Sequence, residues 1–211
     1  MKRLLAVLFF VSLAKAEVVV FSENFESGLG RWTGLQGVPT TGLTIADPLG
    51  TRGNVLTFSG LSYQGDIFTA EKIALSSFGF VKVKFDYLGK AVSNSPSDNF
   101  GGFLGIATTL ATNSGAWLAG TDQSAANGMG FTGIHLKDDG TWHSYEIDVT
   151  SLVQNNSLDG FFLKMEDWGA SGSVGDVYFD NIVVSVPEPS SLSLLLAGGA
   201  VLMAGRRRKS D

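Results

Sequence analysis

Hydrophobic and polar residues alternate with a period of two along much of this chain. The clearest case is 81–88, where Val81, Val83, Phe85 and Tyr87 fall on one side and Lys82, Lys84 and Asp86 on the other. That alternation predicts an antiparallel strand with one face in a core and one in water. Tyr145, Ile147 and Val149 alternate with Ser144, Glu146 and Asp148 in the same way. Runs rich in Val, Ile, Phe and Tyr at 18–25, 55–58, 101–108, 130–136, 160–165 and 177–184 bring the set to about eight strands. Gly, Ser, Thr, Asn and Asp punctuate them, as in an all-β, two-sheet antiparallel β-sandwich. No long helical period appears; a single turn is predicted at 150–153, with Thr150 as its cap. Two long connections, 89–99 and 111–128, read as loops of the length that often carries function.

The two ends break the pattern. Lys2 and Arg3 precede an apolar stretch at 4–13, and Ala14 and Ala16 flank Lys15 as a small-x-small cleavage site. These parts predict a secretory signal peptide at 1–16, removed by signal peptidase and too short to span a bilayer. At the other end Pro187, Glu188 and Pro189 lead into an apolar run at 192–204, closed by Arg206, Arg207, Arg208 and Lys209. The run predicts a short transmembrane segment at 190–205 with a basic tail at 206–209. As a helix, 192–205 spans about 21 Å, less than a ~30 Å bilayer core. No polar face recurs, which excludes an amphipathic helix, and the clustered cations place the tail in the cytoplasm. The chain thus divides into 1–16, a β-sandwich domain at 17–186, and 187–211.

Trimming the ends changes the charge picture. Seven of the 15 Lys and Arg residues lie outside 17–186, but only 2 of the 20 Asp and Glu residues do. The domain therefore carries 8 cations against 18 acids, a net charge near −10. A surface that acidic argues against nucleic acid and anionic membranes as partners, and suits cations and neutral sugars. The chain has no cysteine, so the exported domain relies on its core and has no thiol chemistry.

Catalytic signatures are missing. There is no Gly-x-Ser-x-Gly, no His-Glu-x-x-His and no phosphate-cradling glycine loop around His135, His143 or elsewhere. Glu166 and Asp167 are adjacent, and neighbours on a strand point to opposite faces, so they cannot flank one bond. Tryptophan offers a better lead. Trp32 and Trp142 read as core or sheet-edge residues, whereas Trp117 falls in the 111–128 connection and Trp168 closes a strand. An accessible aromatic ring can stack on the apolar face of a sugar, so Trp117 and Trp168 are the candidate ligand-binding residues.

Two resemblances add to this. Glu23, Asn24, Phe25, Glu26, Ser27 and Gly28 followed by Trp32, the strand entry around Trp142, and the closing Phe179, Asp180, Asn181 and Ile182 resemble the jelly-roll modules known as carbohydrate-binding modules and galactose-binding-like domains. That resemblance implies a jelly roll, often with one structural calcium shared by Glu26 and Asp180. Calcium takes six to eight oxygens; the 47–54 turn, with Gly50 and Gly53, is a source of Asp47 and backbone carbonyls. The tail resembles the PEP-CTERM sorting signal. It implies recognition by an exosortase, cleavage near Pro187, Glu188 and Pro189, and transient residence in the inner membrane. The mature protein then lies at the cell surface or outside the cell, in an exopolysaccharide or biofilm setting.

The expected function is a non-catalytic surface or matrix protein that binds polysaccharide. A purely structural or adhesive protein without a small ligand and a glycan-active enzyme on the same sandwich remain alternatives.

Overall fold

The alternation at 81–88 is realised in β7 (Lys82–Lys90), where Val83, Phe85 and Tyr87 are buried in the core and the residues between them face the other way. The computed structural model describes residues 17–34, 44–57, 66–75, 79–90, 101–111, 114–120, 128–168 and 176–187. Val19–Val186 forms one compact unit; Met1–Val18 and Pro187–Asp211 are grouped as another. The proposed signal peptide with Ala14 and Ala16, and Glu188, Pro189, the apolar run and Arg206, Arg207 and Arg208, lie outside the described residues. No helix among the described residues is long and apolar enough to cross a membrane.

Two sheets face each other. The first runs β11 (His143–Asp148), β7, β13 (Asp176–Pro187), β4 (Asn54–Thr57) and β3 (Thr44–Ala46), with β1 (Glu17–Glu23) beside β13. The second runs β10 (Ile134–His135), β9 (Ala116–Gly120), β8 (Gly101–Ala107), β12 (Gly160–Trp168), β5 (Ile67–Thr69) and β2 (Trp32–Gly34), with β6 (Ile73–Ala74) beside β12. This is a jelly-roll β-sandwich. Its long pairings are antiparallel, and β10 joins β9 in parallel.

The core lies between the sheets. Val83 and Phe85 of β7 and Phe179 of β13 meet Leu104 of β8 and Leu163 and Met165 of β12. Each such side chain contributes about 1.5–3 kcal/mol on burial, which lets a domain of this size stand without a disulfide.

The two end motifs are turn devices. Phe25 (φ 57) and Asn181 (φ 50) both take the left-handed conformation. Asn tolerates it, and a bulky Phe does so only where its surroundings hold it there. Glu23 supplies the hold: its Oε1 accepts from the Asn24 and Phe25 amides, at 3.0 and 2.9 Å. Its Oε2 accepts from Trp32 Nε1 at 3.3 Å, and the Phe25 and Trp32 rings lie 5.9 Å apart. Asn181 sits in the register shift between Asp180 and Val183, where β13 bulges against β7.

Three expectations need correction. The 111–128 stretch is not all loop, because Ala116–Gly120 forms β9, which places Trp117 on a strand. Ala and Gly are poor strand formers in isolation, and here pairing with β8 overrides that preference. The strand expected at 130–136 shrinks to Ile134–His135. The short helix, α1 (Thr150–Asn155), has no side-chain cap from Thr150; that hydroxyl accepts from the Val81 amide at 2.9 Å, while Asp148 Oδ1 accepts from the Thr150 amide.

Candidate functional site

The outer face of the six-stranded sheet is built around Arg52. Asp47 first shapes the 47–54 turn that carries it. Asp47 Oδ2 accepts from the Thr51 amide (2.6 Å), the Thr51 hydroxyl (2.8 Å) and the Arg52 amide (3.0 Å). Its Oδ1 accepts from the Leu49 amide and Trp142 Nε1, both at 3.1 Å. Burial opposes ionisation here, but these donors outweigh it and hold the carboxyl at about 2.

The turn projects the Arg52 guanidinium over the Trp142 ring, 4.2 Å from its centroid. Arg52 pairs with Asp86 of β7 and, at 3.1 Å, with Asp180 of β13. Asp86 and Asp180 are direct cross-strand neighbours, a repulsive arrangement without a cation between them. Burial pushes the Asp180 carboxyl up despite its bond to Arg52. Asp86 is held down against the same burial by hydrogen bonds from Ser144, Asn181 and Arg52.

Glu26, Asp47 and Asp180, the three residues singled out for calcium, do converge on this turn. Glu26 Oε1 accepts from the Asn54 amide at 3.0 Å and lies against Gly53, where a Cβ would sit 1.8 Å from it. The donor set nevertheless does not fit the ion. Asp47 is saturated by five protein donors, and Asp180 accepts from the Asn181 amide and from a guanidinium. Among the described residues no group of three or more His, Cys, Asp or Glu is arranged to hold a metal. Arg52, which sequence reading passed over, supplies positive charge where the resemblance implied calcium.

The outer face of the seven-stranded sheet is different. Cross-strand partners in a sheet share a face. Register therefore aligns Trp117 of β9, Gly105 of β8, Lys164 of β12 and Phe68 of β5 in one row. A second row holds Gly120, Phe103 and Glu166. Asp66, two residues before Phe68, alternates with the core residue Ile67 and so belongs to the same outer face. The Lys164 ammonium lies 3.8 Å from the Trp117 ring centroid, and the Phe103 and Trp117 rings meet edge-on at 5.7 Å. Gly105 makes this possible: a Cβ there would lie 2.8 Å from the Trp117 ring and 3.1 Å from Lys164 Cε.

Lys164 is 2% exposed, Asp66 2% and Glu166 5%, an unusual density of buried charge. Burial lowers the Lys164 ammonium below its ordinary value, while Asp66 and Glu166 pull it back up. Both carboxylate oxygens of Asp66 are buried, with no hydrogen-bond partner among the described residues.

Of the two candidate sugar-stacking residues, Trp117 is thus half-buried beside these charges. Trp168 ends β12 opposite Gly101, two residues beyond Glu166, and its side chain lies outside the described residues. Asp66, Phe103 and Lys164 were missed. Lys164 and Glu166 do stand two apart and alternate with the apolar residues Leu163 and Met165, a period-two signal that marks one face.

Comparison with known proteins bears on both the fold and the tail. Residues 185–209 match the model of the PEP-CTERM protein-sorting motif. The chain carries a PEP-CTERM sorting motif. The motif marks it for exosortase processing and export to the cell surface. It begins inside β13, where Ser185 pairs with Lys82 and Ser185 and Val186 are buried, and Pro187 ends the strand because it has no amide to donate. No curated protein matches the chain.

Among solved structures, the K3 cleaved adhesin domain of Lys-gingipain from Porphyromonas gingivalis matches with a TM-score of 0.50 at 14% identity, over 81% of this chain and 99% of that one. The family 11 carbohydrate-binding module of Clostridium thermocellum, solved with a mixed-linked tetrasaccharide, matches at 0.38 and 18% identity over 82% and 97%. A CBM27 module of Caldicellulosiruptor saccharolyticus, solved with mannohexaose, matches at 0.39 and 13% over 81% and 97%. At these identities the likeness concerns the fold alone.

Proposed function

We propose that this PEP-CTERM substrate is a non-catalytic polysaccharide-binding protein of the cell surface or its matrix, and that the outer face of the seven-stranded sheet is its binding face. One observation carries the reading: Trp117, Phe103, Lys164 and Asp66 share that face, and the buried Asp66 carboxylate has no donor among the described residues. A ring for stacking beside buried acceptors is what a sugar needs, with its apolar face and hydroxyl donors. The fold resembles that of modules solved with bound oligosaccharides. An exopolysaccharide or biofilm setting, with entry through a signal peptide, agrees with the sorting motif.

We read the domain as free of structural calcium, with Arg52 as counter-charge to Asp86 and Asp180. Affinity electrophoresis of the full chain through gels cast with a panel of polysaccharides tests the binding reading. At least one glycan should retard the protein, and Trp117→Ala should remove the retardation while the melting temperature stays within a few degrees. Absence of retardation by every glycan, or equal retardation of the variant, overturns it. Release of reducing ends from a retarding glycan would favour the glycan-active alternative.

A further inference from the structure

The sorting motif is not separate from the fold. It matches from Ser185, while β13 runs to Pro187, so Ser185, Val186 and Pro187 belong to both. Two of these residues are fixed in the sandwich. Val186 is 1% exposed and sits in the core, and Ser185, also 1% exposed, pairs with Lys82 of β7. No spacer separates the strand from the motif.

The other edge of this strand end is covered as well. β7 occupies one side of β13 from Asp176 to Ser185, and β4 takes the other side at Tyr178 and Phe179. β1 also pairs with β13, so only the stretch beyond Phe179 on the β4 side is left to it. Ser22, Glu23 and Asn24 meet Asn181, Ile182 and Val183 around a cavity of about 220 Å³. Phe21 and Val20 therefore run back along the end of β13, antiparallel to it, and pack on the same core as Val184 and Val186.

A protease takes its substrate as an extended chain with free edges over several residues around the cut bond. A cut near Pro187, Glu188 or Pro189 brings Ser185 and Val186 close to that bond. Both are held between β7 and β1, so the chain must first leave the sheet. Strand ends open more readily than the centre of a core. Cleavage of a folded chain then follows the population of the opened state.

We propose that the end of β13 is a gate on sorting: the exosortase processes the chain from a state in which Ser185, Val186 and Pro187 have peeled away from β7 and β1. The folded sandwich thereby sets the rate at which its own tail is removed. A cut at Pro187 or beyond leaves Val186 on the domain, where it returns to the core.

A reversible lock tests this. Lys82→Cys with Ser185→Cys places two thiols on directly paired residues, at a cross-strand separation that a disulfide spans. Both positions alternate with core residues, Val81 and Val83 on β7 and Val184 and Val186 on β13, so both thiols lie on the outer face. The natural chain has no cysteine to compete. Pulse–chase in cells that carry an exosortase follows loss of the tail from the full chain by mass. The oxidised double variant should be processed at least about tenfold more slowly than either single variant. A reductant in the medium should restore the rate. A second chain carries the same lock and a Gly-Ser spacer of about six residues, about 20 Å when extended, between Val186 and Pro187. It gives the enzyme unpaired chain beyond the lock, so this chain should be processed at the unlocked rate whether oxidised or reduced.

Equal processing of the oxidised and reduced double variant overturns the proposal, because the enzyme then reads the motif without opening β13. An equal delay in the locked chain with and without the spacer overturns it too, since the lock then acts elsewhere. Both results leave the polysaccharide-binding reading untouched. If the wild-type and spacer chains both keep their tails, exosortase processing itself fails and the gate with it.

Discussion

The two outer faces of this sandwich both carry charged residues and use them in opposite ways. On the six-stranded sheet the charges close on one another: Lys82 and Lys84 pair with Glu146, and Arg52 pairs with Asp86 and Asp180. On the seven-stranded sheet Lys164, Glu166 and Asp66 are more deeply buried, yet Asp66 has no donor among the described residues. The difference teaches where to look for a ligand. A half-exposed ion pair adds little and asks for nothing more, whereas an unmatched acceptor away from water marks a place where an incoming group would be held.

The sharpest way to break the contrast is to open the closed face. Arg52→Met keeps the stem over Trp142 but leaves Asp86 and Asp180 facing each other without a cation. The expected loss is about 3 kcal/mol by urea denaturation, with Arg52→Lys recovering part of it. A loss too small to measure would mean that the Arg52 network is as dispensable as a surface pair.

Asp47→Asn comes next, at about 2 kcal/mol near neutral pH, because it weakens the acceptor that shapes the Arg52 turn. The pH dependence follows from the sign of the shift. The Asp47 carboxyl sits at about 2 in the folded protein, below its ordinary 3.8. Its contribution is therefore complete above about pH 4 and is lost as pH falls toward 2. The stability gap between wild type and Asp47→Asn should be constant from about pH 7 to about pH 5 and close in acid. A gap that stays open to about pH 2 contradicts the assignment.

On the open face, Gly105→Ala tests the cradle. Its methyl would stand 2.5 Å from the Ala116 carbonyl oxygen as well as against the Trp117 ring. A cost of about 1–2 kcal/mol is expected, with weaker glycan retardation. The smallest expected effect is that of calcium: millimolar Ca²⁺ or EDTA should move the melting temperature of the full chain by less than about 1 °C. A larger stabilisation by calcium would show that an ion binds the folded state and would reopen the role of Glu26 and Asp180.

Much of the fold was legible in the sequence. Strands with clean alternation, β7 and β11, were read with the correct faces, and the core residues of β8, β12 and β13 fell in the runs marked as strands. The short strands were not. Ile67–Thr69 is buried throughout and shows no alternation, and Ala116–Gly120 is made largely of residues that form strands only when a neighbour pairs with them. The site was legible only in part. Trp117 stood out as an aromatic residue away from the obvious core. Asp66 did not, because an acidic residue just before a short apolar run reads as a turn, and only pairing of β5 with β12 brings it to Lys164 and Glu166.

By itself the sequence determined that the chain is a β-sandwich with an acidic domain and a sorting tail, since period-two patterning, charge and a contiguous motif are local properties. The tertiary structure decided which charges cancel. Arg52 lies 34 residues from Asp86 and 128 from Asp180. Electrostatic compensation depends on distance in space and on exclusion of water, neither of which a linear spacing encodes.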